Sequence, residues 1–478
     1  MIRFSHRNLA YCLLVFALSL RVAAAFVWQS QLEREDRSFR FGDSDSYWVI
    51  ARNISDGKFE YGGENSKIFR APLYPLVLVP FAAGDLAIAS SANSDAATTD
   101  TVRPSRRGVF LARILGCLFG TVCIWGIIRI ATELHSAEAG LAAGLLAAVY
   151  PGAIGMSVFL LSESIFCPCM IASLFAIHKS SAKSISNSRS TTTHTSFGLA
   201  VIGGIFSGLA ILARPSWSLW GGILAIYWLV QWLLERRTLA LRNTASRWLA
   251  FALGIVVVMA PWWGRNYLIT GKFVPTTLQV GASLFDGLHE NATGSSDEGM
   301  AFSDVYLAEQ LRDDEQRLAT GGRLESTLEW RVDRRLRNAA IAWAIKNPSD
   351  VISLSLVKLG KTWRPFPVAK ELGNGVIRYA EGLVYLAILI LGSVGAWSCR
   401  RERGSWLFVL PCCYFALIHM LFIGSVRYRQ PAVLVMCVLA GIGVCWLVRF
   451  CRERRSPITT AKDGFSTTQI RSIANSDR

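Results

Sequence analysis

Charge is scarce in this chain, and so are the short motifs that announce a soluble enzyme. Asp, Glu, Lys and Arg make up 18% of its 478 residues, against about 25% in soluble domains. The six histidines are scattered. There is no Walker loop, no HExxH pair and no GxSxG elbow, so the nucleotide, zinc-hydrolase and serine-hydrolase chemistries those motifs carry have no footing. No basic-aromatic module for nucleic acid is present. Cysteine is not scarce, with 11 residues, but the long polar stretches hold none. Cys12, Cys117, Cys123, Cys167, Cys169, Cys399, Cys412, Cys413, Cys437, Cys445 and Cys451 all lie in or at the ends of hydrophobic runs. That placement excludes a disulfide framework. The Cys167-Pro168-Cys169 and Cys412-Cys413 groups lack zinc-ligand company and read as small apolar packers.

What is abundant is apolar length. Hydrophobic residues form 52% of the chain, with 16 Trp and 25 Phe, and the mean hydropathy is +0.35. The apolar residues lie in long uninterrupted runs, the pattern of an all-α polytopic membrane protein. Ten spans are expected, near Asn8–Trp28, Val109–Ala131, Ala137–Tyr150, Ile154–Ile177, Phe197–Ala213, Trp217–Leu234, Trp248–Trp263, Glu381–Trp397, Trp406–Ile423 and Pro431–Arg449. A cleaved signal peptide is the rival reading of the first, because Ala23-Ala24-Ala25 could serve as a processing site. Arg21 lies deep within that span, where it needs a protein partner.

The formal net charge of +16 fits basic cytoplasmic loops and a surface attractive to lipid phosphates. With the N-terminus in the cytoplasm, the inside loops carry Lys179, Lys183 and Arg189, then Arg236, Arg237, Arg242 and Arg247, then Arg400, Arg401 and Arg403. The C-terminal tail is basic too. Both long polar loops then face outside, and both termini are cytoplasmic. The expected division is residues 1–28 as first span, 29–108 as first outer loop, 109–264 as spans two to seven, 265–380 as second outer loop, 381–450 as the last three spans and 451–478 as tail. In the second outer loop, helices are expected from Ser303, from Leu324 to Ile345 and over Pro348–Trp363, with a break at Gly321-Gly322. The last of these suits an interfacial helix or an ordinary core helix. The Ser/Thr/Ala/Asp-rich stretch Ala89–Arg107 and the tail beyond Ser456 are expected to be unstructured.

Chemistry belongs to the outer loops. In Phe41–Pro80, a short helix carries Tyr47, Ile50, Ala51 and Ile54 on one side and ends at Asp56-Gly57. Asp43 and Tyr47 are one turn apart and share a face. Ser44, Asp45 or Asp43 can cap this helix, and capping alone would account for both acids. Arg70, then Pro72, Tyr74 and Pro75, precede an apolar run, Leu73–Ile88, that can dip into the outer leaflet without crossing.

Outward span ends add Arg214, Arg265, Arg427 and Arg429, which with Arg70 form a ring of guanidiniums at one membrane face. Guanidinium binds phosphate through paired hydrogen bonds and keeps its charge; the alternative is headgroup anchoring. Glu163 lies near the outer end of a span, either as a functional carboxylate or as the partner of a buried arginine such as Arg21 or Arg113. His289, in an outer loop, either touches substrate or is an ordinary surface polar residue.

The pieces GDSDSYWVIARNI, FRAPLYPLVLVP, FLARILGCLFG, VYPGAIGMSVFLLSES, GLAILARPSW, APWWGRNYLITGKFVP and VRYRQPAVLV occur in that order over roughly residues 8–450. In order and spacing they resemble GT-C membrane glycosyltransferases, particularly bacterial relatives of protein O-mannosyltransferases and lipid A aminoarabinose transferases. The resemblance implies a polyprenyl-phosphate sugar donor and transfer on the outer face of a bacterial inner membrane. The acceptor would be a protein, lipid or glycan. It also implies an essential Asp in the first outer loop. The spacing to the Tyr selects Asp43, with Asp45 and Glu163 as possible second acids. Arg70, Arg265, Arg427 and Arg429 would hold the donor phosphate, and Tyr47, Tyr74, Arg214 and His289 would line the pocket. Some members of the family use a divalent metal. No ligand cluster is visible in this sequence, so the cofactor is left open.

Two other classes compete. A transporter or flippase for a lipid-linked sugar would show internal repeats and a midplane site, and no clear repeat is found. A membrane scaffold would need no acidic helix facing an arginine ring.

Overall fold

The computed structural model describes residues 5–61, 66–83, 104–183, 191–234, 241–297, 300, 302–367 and 375–455. Residues 89–103 of the Ser/Thr-rich stretch, the loop segments 184–190 and 235–240 and the tail 456–478 lie outside the described residues. Among the described residues the chain is all-α, with no strand. The helices are α1 (His6–Arg34), α2 (Gly42–Ser55), α3 (Leu73–Ala82), α4 (Arg106–Leu134), α5 (Ala137–Val149), α6 (Pro151–Val158), α7 (Glu163–Lys183), α8 (Thr191–Ala213), α9 (Trp220–Leu234), α10 (Leu241–Thr270), α11 (Val280–Gly287), α12 (Phe302–Ala319), α13 (Leu328–Lys346), α14 (Pro348–Trp363), α15 (Gly375–Ser398), α16 (Trp406–Leu421) and α17 (Val426–Arg455).

Among the described residues seven helices are long and apolar enough to cross a membrane unaided, and the bent pair α5–α6 makes an eighth candidate. Nine of the ten expected segments each coincide with one helix. The shortfall comes from α16, which is 16 residues long, and from the segment expected as one span over 154–177. That segment is broken. Pro151 starts α6, which bends 61° from α5. α6 then stops at Val158, Leu160 takes a positive φ of 56°, and α7 begins afresh at Glu163.

Two arginines satisfy the carbonyls this break exposes. Arg21 donates to Ala147 O and Ala148 O at 3.2 and 3.3 Å, at the end of α5. Arg113 donates to Val158 O at 2.7 Å, at the end of α6. A proline following α5 offers no N–H, and carbonyls in an apolar interior must be paired. Both arginines are buried, so the intramembrane charge expected to need a partner has one in the backbone.

The bundle packs through small residues, as helices do where lipid removes the hydrophobic drive. A Cβ on Gly204 of α8 would sit 2.0 Å from Phe251 O of α10, and one on Gly254 would sit 2.2 Å from Val201 O. All eleven cysteines are free thiols.

The two long polar loops depart from expectation in three details. α2 is capped by Phe41 with no side-chain cap bond, so neither Asp43 nor Asp45 caps it. α13 starts at Leu328 rather than Leu324, because Ser326 takes a φ of 65° and Thr327 is the cap, its hydroxyl accepting from Trp330 N at 3.3 Å. α11 was not expected at all. α14 packs against α16, with Ser355 Oγ donating to Met420 O at 3.2 Å, while Ile352 and Leu356 on its other edge are exposed.

Candidate active site

Five elements bring charge to one end of the bundle. α2 presents Asp43 in its first turn, and the strap before α3 carries Arg70. The break before α7 sets Glu163 at a helix N-terminus, where a carboxylate is favoured. Arg214 follows α8, and Arg427 opens α17. Ser44 fixes α2 to the break by donating to Phe159 O at 2.8 Å.

The charged side chains form one chain of contacts. Arg70 Nη2 donates to Asp43 Oδ1 at 2.8 Å. Arg427 Nη1 donates to Asp43 Oδ2 at 2.6 Å. The same guanidinium reaches Glu163 with its other two nitrogens, Nε to Oε1 at 2.5 Å and Nη2 to Oε2 at 3.1 Å. Arg214 also pairs with Glu163 Oε1. Three guanidiniums thus face two carboxylates, leaving one net positive charge. Glu163 is sealed at 0% exposure, whereas Asp43 keeps 29% and Arg427 20%. The open part of the cluster is therefore the Asp43–Arg427 edge.

Burial would raise the Asp43 carboxyl, but the charges and hydrogen bonds of Arg427 and Arg70 outweigh it and hold it well below the usual carboxylate range. Asp45 is exposed on the other side of α2, where burial of its head raises its carboxyl and Arg52 partly offsets this. Asp43 meets Arg70 and Arg427, while Asp45 lies beside Arg52.

Aromatic rings support the guanidiniums. Arg70 lies over Tyr47 at 5.4 Å, and Tyr47 meets Tyr74 edge-on at 5.2 Å. Arg214 and Arg427 lie over Tyr428 at 5.4 and 5.9 Å. Such contacts favour the cation without adding a competing anion. Gln279, which no sequence signal marks, reaches Arg70 Nη1 at 3.4 Å. Tyr428 stood in the VRYRQP motif but drew no expectation of its own.

The remaining candidates are held elsewhere. Arg265 donates to Phe59 O and Lys67 O, both at 3.1 Å, and so grips the strap that carries Arg70 rather than Asp43 itself. Arg429 is buried over Tyr385 at 3.7 Å, 3.5 Å from Glu381, and donates to Arg364 O. His289 stacks on Phe285 at 5.0 Å and its Nδ1 lies 2.9 Å from Phe285 O. Its ring neighbours Phe285 and Phe302 both lie in the second polar loop. Glu163 pairs with Arg214 and Arg427, not with Arg21 or Arg113.

A divalent cation does not fit this donor set. All four oxygens of Asp43 and Glu163 lie against guanidiniums, and among the described residues no three His, Cys, Asp or Glu side chains converge. No step is derived through a metal.

No protein-family profile and no curated protein matches the sequence. Solved structures do match in shape. The archaeal oligosaccharyltransferase AglB from Archaeoglobus fulgidus, in complex with an inhibitory peptide and a dolichol-phosphate, aligns with a TM-score of 0.55 at 15% identity, covering 96% of this chain and 52% of AglB. Its apo form gives 0.55 at 15% identity, over 95% and 52%. ArnT from Cupriavidus metallidurans bound to undecaprenyl phosphate gives 0.34 at 15% identity, over 89% and 77%. The chain spans about half the length of AglB. It has the GT-C fold of polytopic membrane glycosyltransferases.

Proposed function

We propose that the chain is a glycosyltransferase that moves a sugar from a polyprenyl-phosphate donor to an acceptor hydroxyl at the non-cytoplasmic face, with inversion. The observation that carries this reading is Asp43 held between Arg70 and Arg427 at the open edge of a cluster with surplus positive charge. The GT-C fold supports it, as does the dolichol-phosphate held by AglB. Charged groups gathered at one end of the bundle, rather than at its midplane, speak against a transporter.

In this account the Asp43 pairs describe the resting site. A lipid phosphate brings two or three acceptor oxygens and competes with Asp43 for Arg70 and Arg427, which bind it through paired N–H donors. Glu163 stays behind to orient Arg427, and Arg214 keeps Glu163 neutralised. Once relieved of its arginines, Asp43 returns toward the ordinary value near 3.9 and becomes a better acceptor for the incoming hydroxyl. The hydroxyl oxygen attacks the anomeric carbon from the face opposite the phosphate. The bond from that carbon to the phosphate oxygen breaks, its electron pair leaves with the polyprenyl phosphate, and the hydroxyl proton passes to Asp43. A carboxylate is a weak base, so transfer occurs late, as bond formation acidifies the hydroxyl. The arginines stabilise charge developing on the leaving phosphate. Arg265 and Arg429 serve as holders of backbone.

Comparing envelope lipids and glycoconjugates between cells with and without the gene tests this reading. Accumulated polyprenyl-phosphate sugar together with one under-glycosylated product is expected. An unchanged lipid-linked sugar pool would count against it.

A further inference from the structure

The two segments that carry the guanidiniums facing Asp43 are both gripped by the outer unit α11–α14. On the Arg70 side, Glu329 in the first turn of α13 accepts from Lys67 N at 3.0 Å and from Ile68 N at 3.1 Å. Leu278 N, just before α11, donates to Ile68 O at 3.1 Å. Arg70 lies two residues on. On the Arg427 side, Lys358 of α14 is fully buried and donates to Leu421 O at 3.0 Å, at the end of α16. Gly424 N donates to Gly294 O at 2.9 Å, and a Cβ on Gly424 would sit 2.5 Å from Lys358 O. Arg427 follows three residues later. Neither Glu329 nor Lys358 touches the Asp43 cluster, and neither is used in the transfer account.

A buried ionisable group is costly unless hydrogen bonds or an opposite charge offset its lost hydration. Here the offsetting bonds go to the backbone of connections between helices. We propose that Glu329 and Lys358 are positioning residues that hold the Arg70 strap and the Arg427 turn in register with Asp43, so that the outer unit is a brace for the phosphate site. This rests on the phosphate-binding reading of that site. The consequence is coupling: whatever moves α13 or α14 also moves the arginines, which gives an acceptor on the outer unit a mechanical route to the donor.

Both carboxylate oxygens of Glu329 are used, one for each amide. Burial raises its carboxyl to about 7, opposed by the amides of Ile68 and Lys67 and by Arg265, with Asp333 adding to the rise. The bonds that dock the strap thus favour the carboxylate, and a glutamine, with one acceptor oxygen, can meet only one of the two amides.

The test uses the full chain in lipid nanodiscs, titrated with decaprenyl phosphate, with thermal unfolding measured alongside. Glu329→Ala and Lys358→Met are each expected to weaken binding by about 5–50-fold, the scale of site-to-site coupling. Lys358→Arg should restore it, and Glu329→Gln, with one acceptor oxygen left, should recover only part. Arg70→Gln combined with Glu329→Ala should bind no worse than Arg70→Gln alone, because both act through Arg70. Should Arg70→Gln weaken binding while Glu329→Ala and Lys358→Met bind like wild type, or should the double variant be additive, the brace is wrong and the phosphate site stands. Should Arg70→Gln itself bind like wild type, the phosphate reading falls first.

Discussion

Two sets of arginines sit in this bundle, and they do different things. Arg21, Arg113 and Arg429 are almost wholly sealed and give most of their donors to main-chain carbonyls. Arg70, Arg214 and Arg427 keep some exposure and pair with carboxylates. Arg21 and Arg113 mend helix breaks, where an unpaired carbonyl is the alternative, while Arg429 ties down the segment after α14 and lies 3.5 Å from Glu381. In the second set, Arg70 and Arg427 share Asp43 at the open edge, while Arg214 pairs with the sealed Glu163. A guanidinium bound to a carboxylate beside an open edge is held ready, whereas one bound to backbone is used up. Exposure and partner type, more than charge or depth, separate the structural arginines from the candidate functional ones.

The comparison can be broken experimentally. Arg427→Gln should have the largest effect among the arginines, about 10²–10³-fold on transfer, since it deprives Asp43 and Glu163 together; assay in membrane vesicles against protein level checks it. Arg70→Lys keeps the charge but not the planar fork, and a smaller loss of about tenfold is expected. From the other set, Arg21→Met should lower the unfolding temperature in detergent by a few degrees while transfer per folded molecule is unchanged. A loss of transfer without loss of stability would merge the two sets.

The smallest effect concerns acid. The Asp43 carboxyl is held below its unfolded value near 3.9. Its contribution to stability is therefore complete above that value and disappears as pH falls through the folded one. The difference in unfolding temperature between wild type and Asp43→Asn should be constant from pH 8 to 5 and close only in stronger acid. A difference that closes near pH 6 would mean the carboxyl is not clamped.

Much of the fold could be read in the sequence because apolar runs of span length leave few choices. The break before Glu163 could not. Phe159-Leu160-Leu161 is as apolar as a helix interior, and the left-handed residue is a leucine rather than a glycine. The choice between Asp43 and Asp45 depended on which side of α2 faces Arg427, a contact 384 positions away.

The grouping of Arg427 with Arg429 was avoidable. Two residues apart on a helix are turned by about 200°, so both could not face one carboxylate. The bonds of Arg265 to Phe59 O and Lys67 O leave no trace in local sequence. Neither does the grip of Glu329 on Lys67 and Ile68, since it joins two polar loops across more than half the chain.

Complementing cells that lack the gene with wild type, Asp43→Asn or Asp45→Asn, and assaying polyprenyl-phosphate-linked sugar in their membranes, tests the central claim most directly. Asp43→Asn, present at normal level in the membrane, should leave the lipid-linked sugar accumulated, while Asp45→Asn should clear it as wild type does. Clearance by Asp43→Asn would contradict the account.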